Sequence, residues 1–155
     1  ATDERDARRL RHTAQLYALV GRALAAPSTP ANQAYERLQA AVNYDHVVGG
    51  ALSDEIRSKL GSIAPKAALA YFAVHQYDKA HAAAHTAESL GTVDATVQLV
   101  KQRLEAKAGE LYGIASKELG SQPDDAKSKL QLIENMVDAS SPWYEKADRL
   151  LKGSG

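Results

Sequence analysis

The stretch AALAYFAVHQYDKAHAAAHTA, residues 67–87, decides the fold of this chain. Its first part places a small residue, Ala68, three positions before Tyr71, and its second part places Ala80 four positions before Ala84. A small residue lets two helices approach closely, and a tyrosine one turn away fills the adjacent gap. The stretch therefore predicts two helices that pack against each other as a hairpin.

Two further units repeat this pairing. Each has a small residue and a tyrosine on the first helix and an alanine and a leucine on the second: Ala14/Tyr17 with Ala34/Leu38, and Gly109/Tyr112 with Ala126/Leu130. Repeated helix pairs indicate a stack in which each unit buries the apolar face of its neighbour. The three tyrosines are 54 and 41 residues apart, so we expect an irregular array.

Composition points to the same class of fold. Alanine fills 29 of the 155 positions, whereas phenylalanine, tryptophan and methionine occur once each. Close helix contacts must then replace bulky packing, and no segment shows the alternation of a strand. We predict an all-α fold, an irregular stack of antiparallel helical hairpins with about six to eight helices. The chain has no cysteine, which excludes disulfide frameworks and thiolate chemistry.

Charge and hydropathy exclude two classes of partner. Nineteen basic residues balance nineteen acidic ones, whereas domains that bind nucleic acid carry a basic excess. The arginines at positions 5, 8, 9 and 11 are offset by the acidic residues at positions 3, 4 and 6, and the cluster is typical of a solvated helix face. The longest apolar run, residues 67–74, is far shorter than the roughly 20 residues that span a bilayer. We expect a soluble domain without membrane insertion; the compartment stays open, with the cytoplasm slightly favoured.

Proline, glycine and capping residues predict the boundaries. Asp54/Glu55 and Asp124/Asp125 follow helix-start signals, so we interpret them as capping and dipole-complementing residues, not as acid–base pairs. Gly61 and Pro65 predict the end of a short helix and the start of the next. We expect one domain over residues 1–152, with hairpins at about 4–46, 62–90 and 92–139, a terminal helix at 142–152 and a tail or linker at 153–155.

The middle unit resembles a tetratricopeptide repeat (TPR). Ala68, Tyr71, Tyr77, Ala80 and Ala87 follow the spacing of that repeat, and the segment from residue 76 to residue 80 is similar to its turn. The match is moderately specific over residues 62–90 and looser elsewhere. The resemblance implies a right-handed stack whose first helices line a concave groove for a peptide or partner protein.

The resemblance also implies which residues face that groove. In the middle unit they are Leu69, Phe72 and Gln76, and the looser units contribute Gln15, Leu19 and Glu110. This set lacks the basic residues and asparagines with which some TPR proteins clamp a peptide carboxylate. The alternative is that Leu69 and Phe72 are ordinary core residues.

One helix carries the candidate metal ligands. His81, His85 and Glu88 share a helix face through spacings of four and three, which suits zinc or another divalent ion. The helix lacks the glutamate that follows the first histidine in metalloproteases, so the alternative is a set of surface histidines. No phosphate-binding glycine loop or nucleophile elbow is visible, and we assign no catalytic residue and no cofactor.

Trp143 and Tyr144 form the densest aromatic pair. We expect them to fasten the terminal helix over the last hairpin, the alternative being a partner anchor. The leading functional hypothesis is a non-enzymatic interaction or scaffold module, as part of a larger assembly, that binds a peptide or protein in a helical groove. Two alternatives are a bundle that binds a metal or small ligand through the histidine helix, and a self-assembling structural protein.

Overall fold

A computed structural model describes residues 2–25, 30–47, 53–92 and 94–153 of the chain. Over these ranges the chain forms seven helices and no strand, which confirms the predicted all-α class. The helices are α1 (Thr2–Ala25), α2 (Ala31–Val47), α3 (Ser53–Ala73), α4 (Tyr77–Ser89), α5 (Ala95–Glu118), α6 (Pro123–Met136) and α7 (Pro142–Gly153). None of the helices in these ranges has the length and apolar character needed to cross a bilayer.

The helices pack mainly against their neighbours in sequence. α3 packs against α2, α4 and α5, and α4 also packs against α5 and α6. α7 lies against α6 and α5, whereas α1 packs against α2. Short connections between packed neighbours make the pairs α3/α4 and α5/α6 antiparallel hairpins. The side chains between them form one core, with Leu38, Ile56, Leu104, Leu130, Ile133 and Met136 among its fully buried members.

The small residues that define the hairpins lie where the pattern predicts in most cases. All six second-helix residues are buried: Ala34, Leu38, Ala80, Ala84, Ala126 and Leu130. Ala68 and Tyr71 of the first helix in the middle unit are buried as well. Ala14 is exposed, so its predicted packing role is wrong, although its helix α1 packs against α2. Tyr17 lies outside the residues whose side chains are described.

α3 is longer than predicted. It runs without a break through Gly61 and Pro65, so the expected boundary there is wrong. Pro65 has no N–H to donate to the carbonyl of Gly61 four residues earlier. The hydroxyl of Thr92, from the α4–α5 connection, donates to that carbonyl at 3.1 Å instead. A residue distant in sequence therefore supplies the hydrogen bond that the proline removes, and the helix continues.

Helices α3 and α4 end in the same hydrogen-bonded geometry. The N–H groups of His75 and Gln76 donate to the carbonyls of Phe72 and Tyr71, and Gly91 and Thr92 repeat the pattern after α4. This is the Schellman arrangement, which requires a left-handed residue after the helix. Gly91 has φ +78°, as expected of the glycine predicted to end α4. The predicted cap at Thr29 and the turn at residues 49–50 lie outside the described residues.

Trp143 fastens α7 to α5, as predicted. Its ring lies over Gly109, where an added Cβ would come within 2.9 Å of the indole carbon Cζ2. The Trp143 and Tyr112 ring centroids are 5.7 Å apart. Ser141 caps α7 by accepting a hydrogen bond from the Trp143 N–H at 3.2 Å. Gly109 and Tyr112, the small residue and the tyrosine of the third unit, thus form the surface against which Trp143 of α7 packs.

Candidate functional site

Two of the predicted groove residues, Phe72 and Gln76, lie at the connection between α3 and α4. Phe72 is half-buried, and its ring centroid is 5.3 Å from that of Tyr77 at the start of α4. Gln76 lies exposed between them, and Val74 is 56% exposed. We call this set, together with His75, Lys107 and Glu110, the turn surface.

His75 has a backbone conformation that is uncommon for residues other than glycine. Its φ of 63° lies in the left-handed region, which costs a non-glycine residue about 1–2 kcal/mol. The side chain is exposed, with Nδ1 2.7 Å from the Tyr77 hydroxyl and the two rings edge to face. The matching position after α4 is Gly91, which adopts the same conformation without strain. The chain therefore keeps a histidine with a strained backbone conformation at the turn surface.

α5 brings a charged pair to the same surface. Lys107 Nζ is 2.9 Å from Glu110 Oε2 and 5.9 Å from the centroid of the Tyr77 ring. The hydrogen bond to Glu110 raises the pKa of Lys107 above its usual value, so Lys107 stays cationic. Glu110, predicted for the groove from the third unit, thus lies beside the turn of the middle unit.

The other predicted groove residues lie elsewhere. Leu69 is half-buried on α3 and, like Phe72, packs against the core, in keeping with the core alternative for both residues. Gln15 is exposed on α1, which packs against α2. Leu19 lies outside the residues whose side chains are described. A groove continuous over all three units stays a prediction.

A polar network joins α4, α5 and the α6–α7 connection. Asp138 accepts from both neighbours: His81 Nε2 is 2.8 Å from its Oδ1, and Lys101 Nζ is 2.9 Å from its Oδ2. Lys101 also lies 3.0 Å from Glu88 Oε1. The hydrogen bond from Lys101 is the main cause that lowers the pKa of Asp138, and Asp138 in turn raises the pKa of Lys101. Three segments distant in sequence are held together by one carboxylate.

This network occupies two of the three candidate metal ligands. His81 directs Nε2 at Asp138, and Glu88 pairs with Lys101, while His85 is exposed. Among the residues that the structure describes, no group of three His, Cys, Asp or Glu side chains is arranged to hold a metal ion. The three side chains have the spacing of a metal site on one helix, but Asp138 and Lys101 bind two of them and direct these two away from a common centre.

Beside the network lies a cavity of about 140 Å³, which we call the α5 cleft. Its floor is apolar and consists of Leu104, Met136 and Val137. Its walls are polar and consist of His81, Gln98, Lys101, Gln102, Glu105 and Asp138. Glu105 Oε2 accepts a hydrogen bond from the Ser141 hydroxyl at 2.8 Å, which links the cleft to the cap of α7.

The sequence alone did not point to Lys101 and Asp138 in the polar network or to Lys107 at the turn surface. Lys101 and Asp138 are 20 and 57 residues from His81, and no local spacing joins them. Lys107 carries a weak signal, because it stands three positions before Glu110 on a helix.

Comparison of the chain with protein-family models, with curated proteins and with solved structures finds no match in any of the three.

Proposed function

We propose that this chain is a non-enzymatic protein-interaction module that binds a segment of a partner protein at the turn surface. The observation that carries the proposal is His75, an exposed side chain kept in a left-handed backbone conformation and hydrogen-bonded to Tyr77. Backbone strain of this kind is concentrated at functional sites, where the gain from function offsets its cost. A glycine would end the helix without that strain, as it does after α4.

The TPR-like architecture is part of the same proposal. Its support is the packing of α3 against both α4 and α5 and of α4 against α5 and α6, which is the neighbour-to-neighbour pattern of a helical repeat stack. In such a stack the first helices lie side by side. That arrangement accounts for the proximity of Glu110 on α5 to the turn at the end of α3.

The chemistry of the turn surface suits a segment with an apolar anchor and polar flanks. Val74 and the exposed part of Phe72 offer apolar area, and burying one aliphatic side chain there contributes about 1.5–3 kcal/mol. Gln76 and Glu110 are exposed polar residues of the turn surface. Rim charges mainly set partner choice and association rate, so we expect Glu110 to act on specificity.

The test is selection of binding peptides from a displayed random library on the folded protein. We expect selected peptides to shift the NMR amide signals of residues 72–77 and 107–110. Glu110→Lys should weaken their binding about tenfold or more, equivalent to at least about 1.4 kcal/mol. Asp124→Lys is the matched control, because it makes the same charge change at an exposed position outside the turn surface. Circular dichroism checks that both variants are folded.

Two results would contradict the proposal. One is a set of selected peptides whose signal changes lie away from residues 72–77 and 107–110. The other is equal binding to the wild type, the Glu110→Lys variant and the Asp124→Lys variant, since a surface that ignores a reversed charge at its edge is not the binding surface.

A further inference from the structure

We propose that the α5 cleft binds one basic side chain, arginine or lysine, of a partner protein. The α5 cleft is separate from the turn surface, and the inference does not depend on peptide binding there. Its support comes from the charge balance of the walls, the closed base of the cleft and the hydrogen-bonding capacity left unused.

The charge balance favours a cation. Lys101 and Asp138 neutralise each other at 2.9 Å, which leaves Glu105 as the uncompensated charge among the described wall residues. Glu88 on the far side of Lys101 adds a second carboxylate to the region. A cation that enters therefore meets a net negative wall whose effect is strengthened by the nearby low-dielectric core.

The cleft is closed at its base. Leu104, Met136 and Val137 are 1%, 0% and 4% exposed, so they seal the cleft from the core and an entering side chain contacts mainly the wall residues. Lysine and arginine are long enough to bring the charged head between those walls while the methylene stem reaches in from the surface. The cavity volume of about 140 Å³ is sufficient for one such side chain.

Unused hydrogen-bonding groups complete the site. Glu105 Oε2 is bonded to Ser141, whereas Oε1 has no hydrogen bond within the described part of the chain. Gln98 and Gln102 stand one turn apart on α5 at the rim, and both are exposed. A guanidinium has five N–H donors in a planar fork, which one carboxylate and two amide oxygens can accept. Arginine is therefore the preferred occupant.

The experiment uses Nα-acetylarginine N-methylamide as the probe in an NMR titration of the full chain. We expect saturable shifts of the amide signals of residues 98–105 and 136–141 in the millimolar range. The matching citrulline derivative has the same shape without the charge and should bind at least about tenfold more weakly. The lysine derivative should bind, but less tightly than the arginine derivative.

Three variants test the charge argument in opposite directions. Glu105→Gln keeps an acceptor for Ser141 and should weaken probe binding about tenfold. Lys101→Gln removes the competing cation and should tighten binding several-fold. Asp124→Asn removes the same charge as Glu105→Gln from an exposed position outside the cleft and should leave binding unchanged. Thermal melting of each variant confirms that it is folded.

The proposal is overturned if the probe produces no saturable shifts at the cleft, or if the citrulline derivative binds equally well. It is also overturned if Glu105→Gln and Asp124→Asn have the same effect, because the attraction then belongs to the surface as a whole. If the Glu105→Gln variant is unfolded, the Lys101→Gln variant still tests the proposal, because a loss of folded structure would not explain tighter binding of the probe. A negative result leaves peptide binding at the turn surface unaffected.

Discussion

Gly109→Ala and Gly113→Ala make the same change on the same helix with opposite expected results. In an α-helix, replacing glycine by alanine gains up to about 1 kcal/mol through backbone entropy. An added Cβ at Gly113 meets nothing within 4 Å, so Gly113→Ala should stabilise the protein by about that amount. An added Cβ at Gly109 lies 2.9 Å and 3.2 Å from two ring carbons of Trp143.

The contact with Trp143 makes Gly109→Ala destabilising, whereas Gly113→Ala is stabilising. The indole is confined by Tyr112 and by the start of α7, and Lys146 Nζ lies 4.7 Å from its centroid, so the ring has little room to move. Overpacking of this kind costs about 1–3 kcal/mol, which exceeds the gain in helix propensity. We expect Gly109→Ala to lower the free energy of unfolding by about 0.5–2 kcal/mol relative to the wild type.

The assay is urea denaturation followed by far-ultraviolet circular dichroism, which does not depend on the tryptophan. The two alanine variants should differ by about 1.5–3 kcal/mol, or by several degrees in melting temperature. In a Trp143→Leu background the clash is absent, so Gly109→Ala should become stabilising, and the coupling between the sites measures the contact. Stabilisation of the wild type by Gly109→Ala equal to that from Gly113→Ala would refute the reasoning.

Substitutions at three further residues test hydrogen bonds and charges in the fold. Thr92→Val leaves the buried carbonyl of Gly61 without its donor and should cost about 1–3 kcal/mol in urea denaturation, whereas Thr92→Ser should cost much less. Burial is the main cause that raises the pKa of Glu134, and its Oε1 has no hydrogen bond. The folded protein therefore holds this proton more tightly than the unfolded chain does, so the wild type loses stability as pH rises through the folded-state pKa of Glu134. Glu134→Gln should therefore stabilise the protein by about 0.5–1 kcal/mol at pH 7, and melting curves should show no gain below about pH 4. The pKa of Asp138 is lowered below its usual value of 3.8, so its contribution is present above that pH and lost as pH falls through the folded-state pKa. Asp138→Asn should cost about 0.5–1 kcal/mol at pH 7 after solvent screening, and the difference from the wild type should vanish in acid; a constant difference would contradict the assignment.

The two candidate sites show where local spacing stops being informative. Phe72 and Gln76 are found by spacing because they stand on one helix and its turn. The proximity of Glu110 to that turn depends on how α5 lies against α3, and helical periodicity does not contain the register between two helices. For the same reason the described residues His81, His85 and Glu88 do not converge on one centre, since Asp138 and Lys101 approach His81 and Glu88 from other segments.

By itself the sequence determined the helical class, most helix ends and the buried faces of the second helices, because alanine spacing, prolines and caps act within a few residues. It also led to the wrong boundary in α3, because Pro65 is a local helix breaker. Only the tertiary structure decided that α3 continues, through a hydroxyl that Thr92 brings from 31 residues beyond Gly61. The α5 cleft has the same origin: its floor and walls come from α4, α5, α6 and the α6–α7 connection, and the charge left on Glu105 follows from pairings that exist only once those segments have packed.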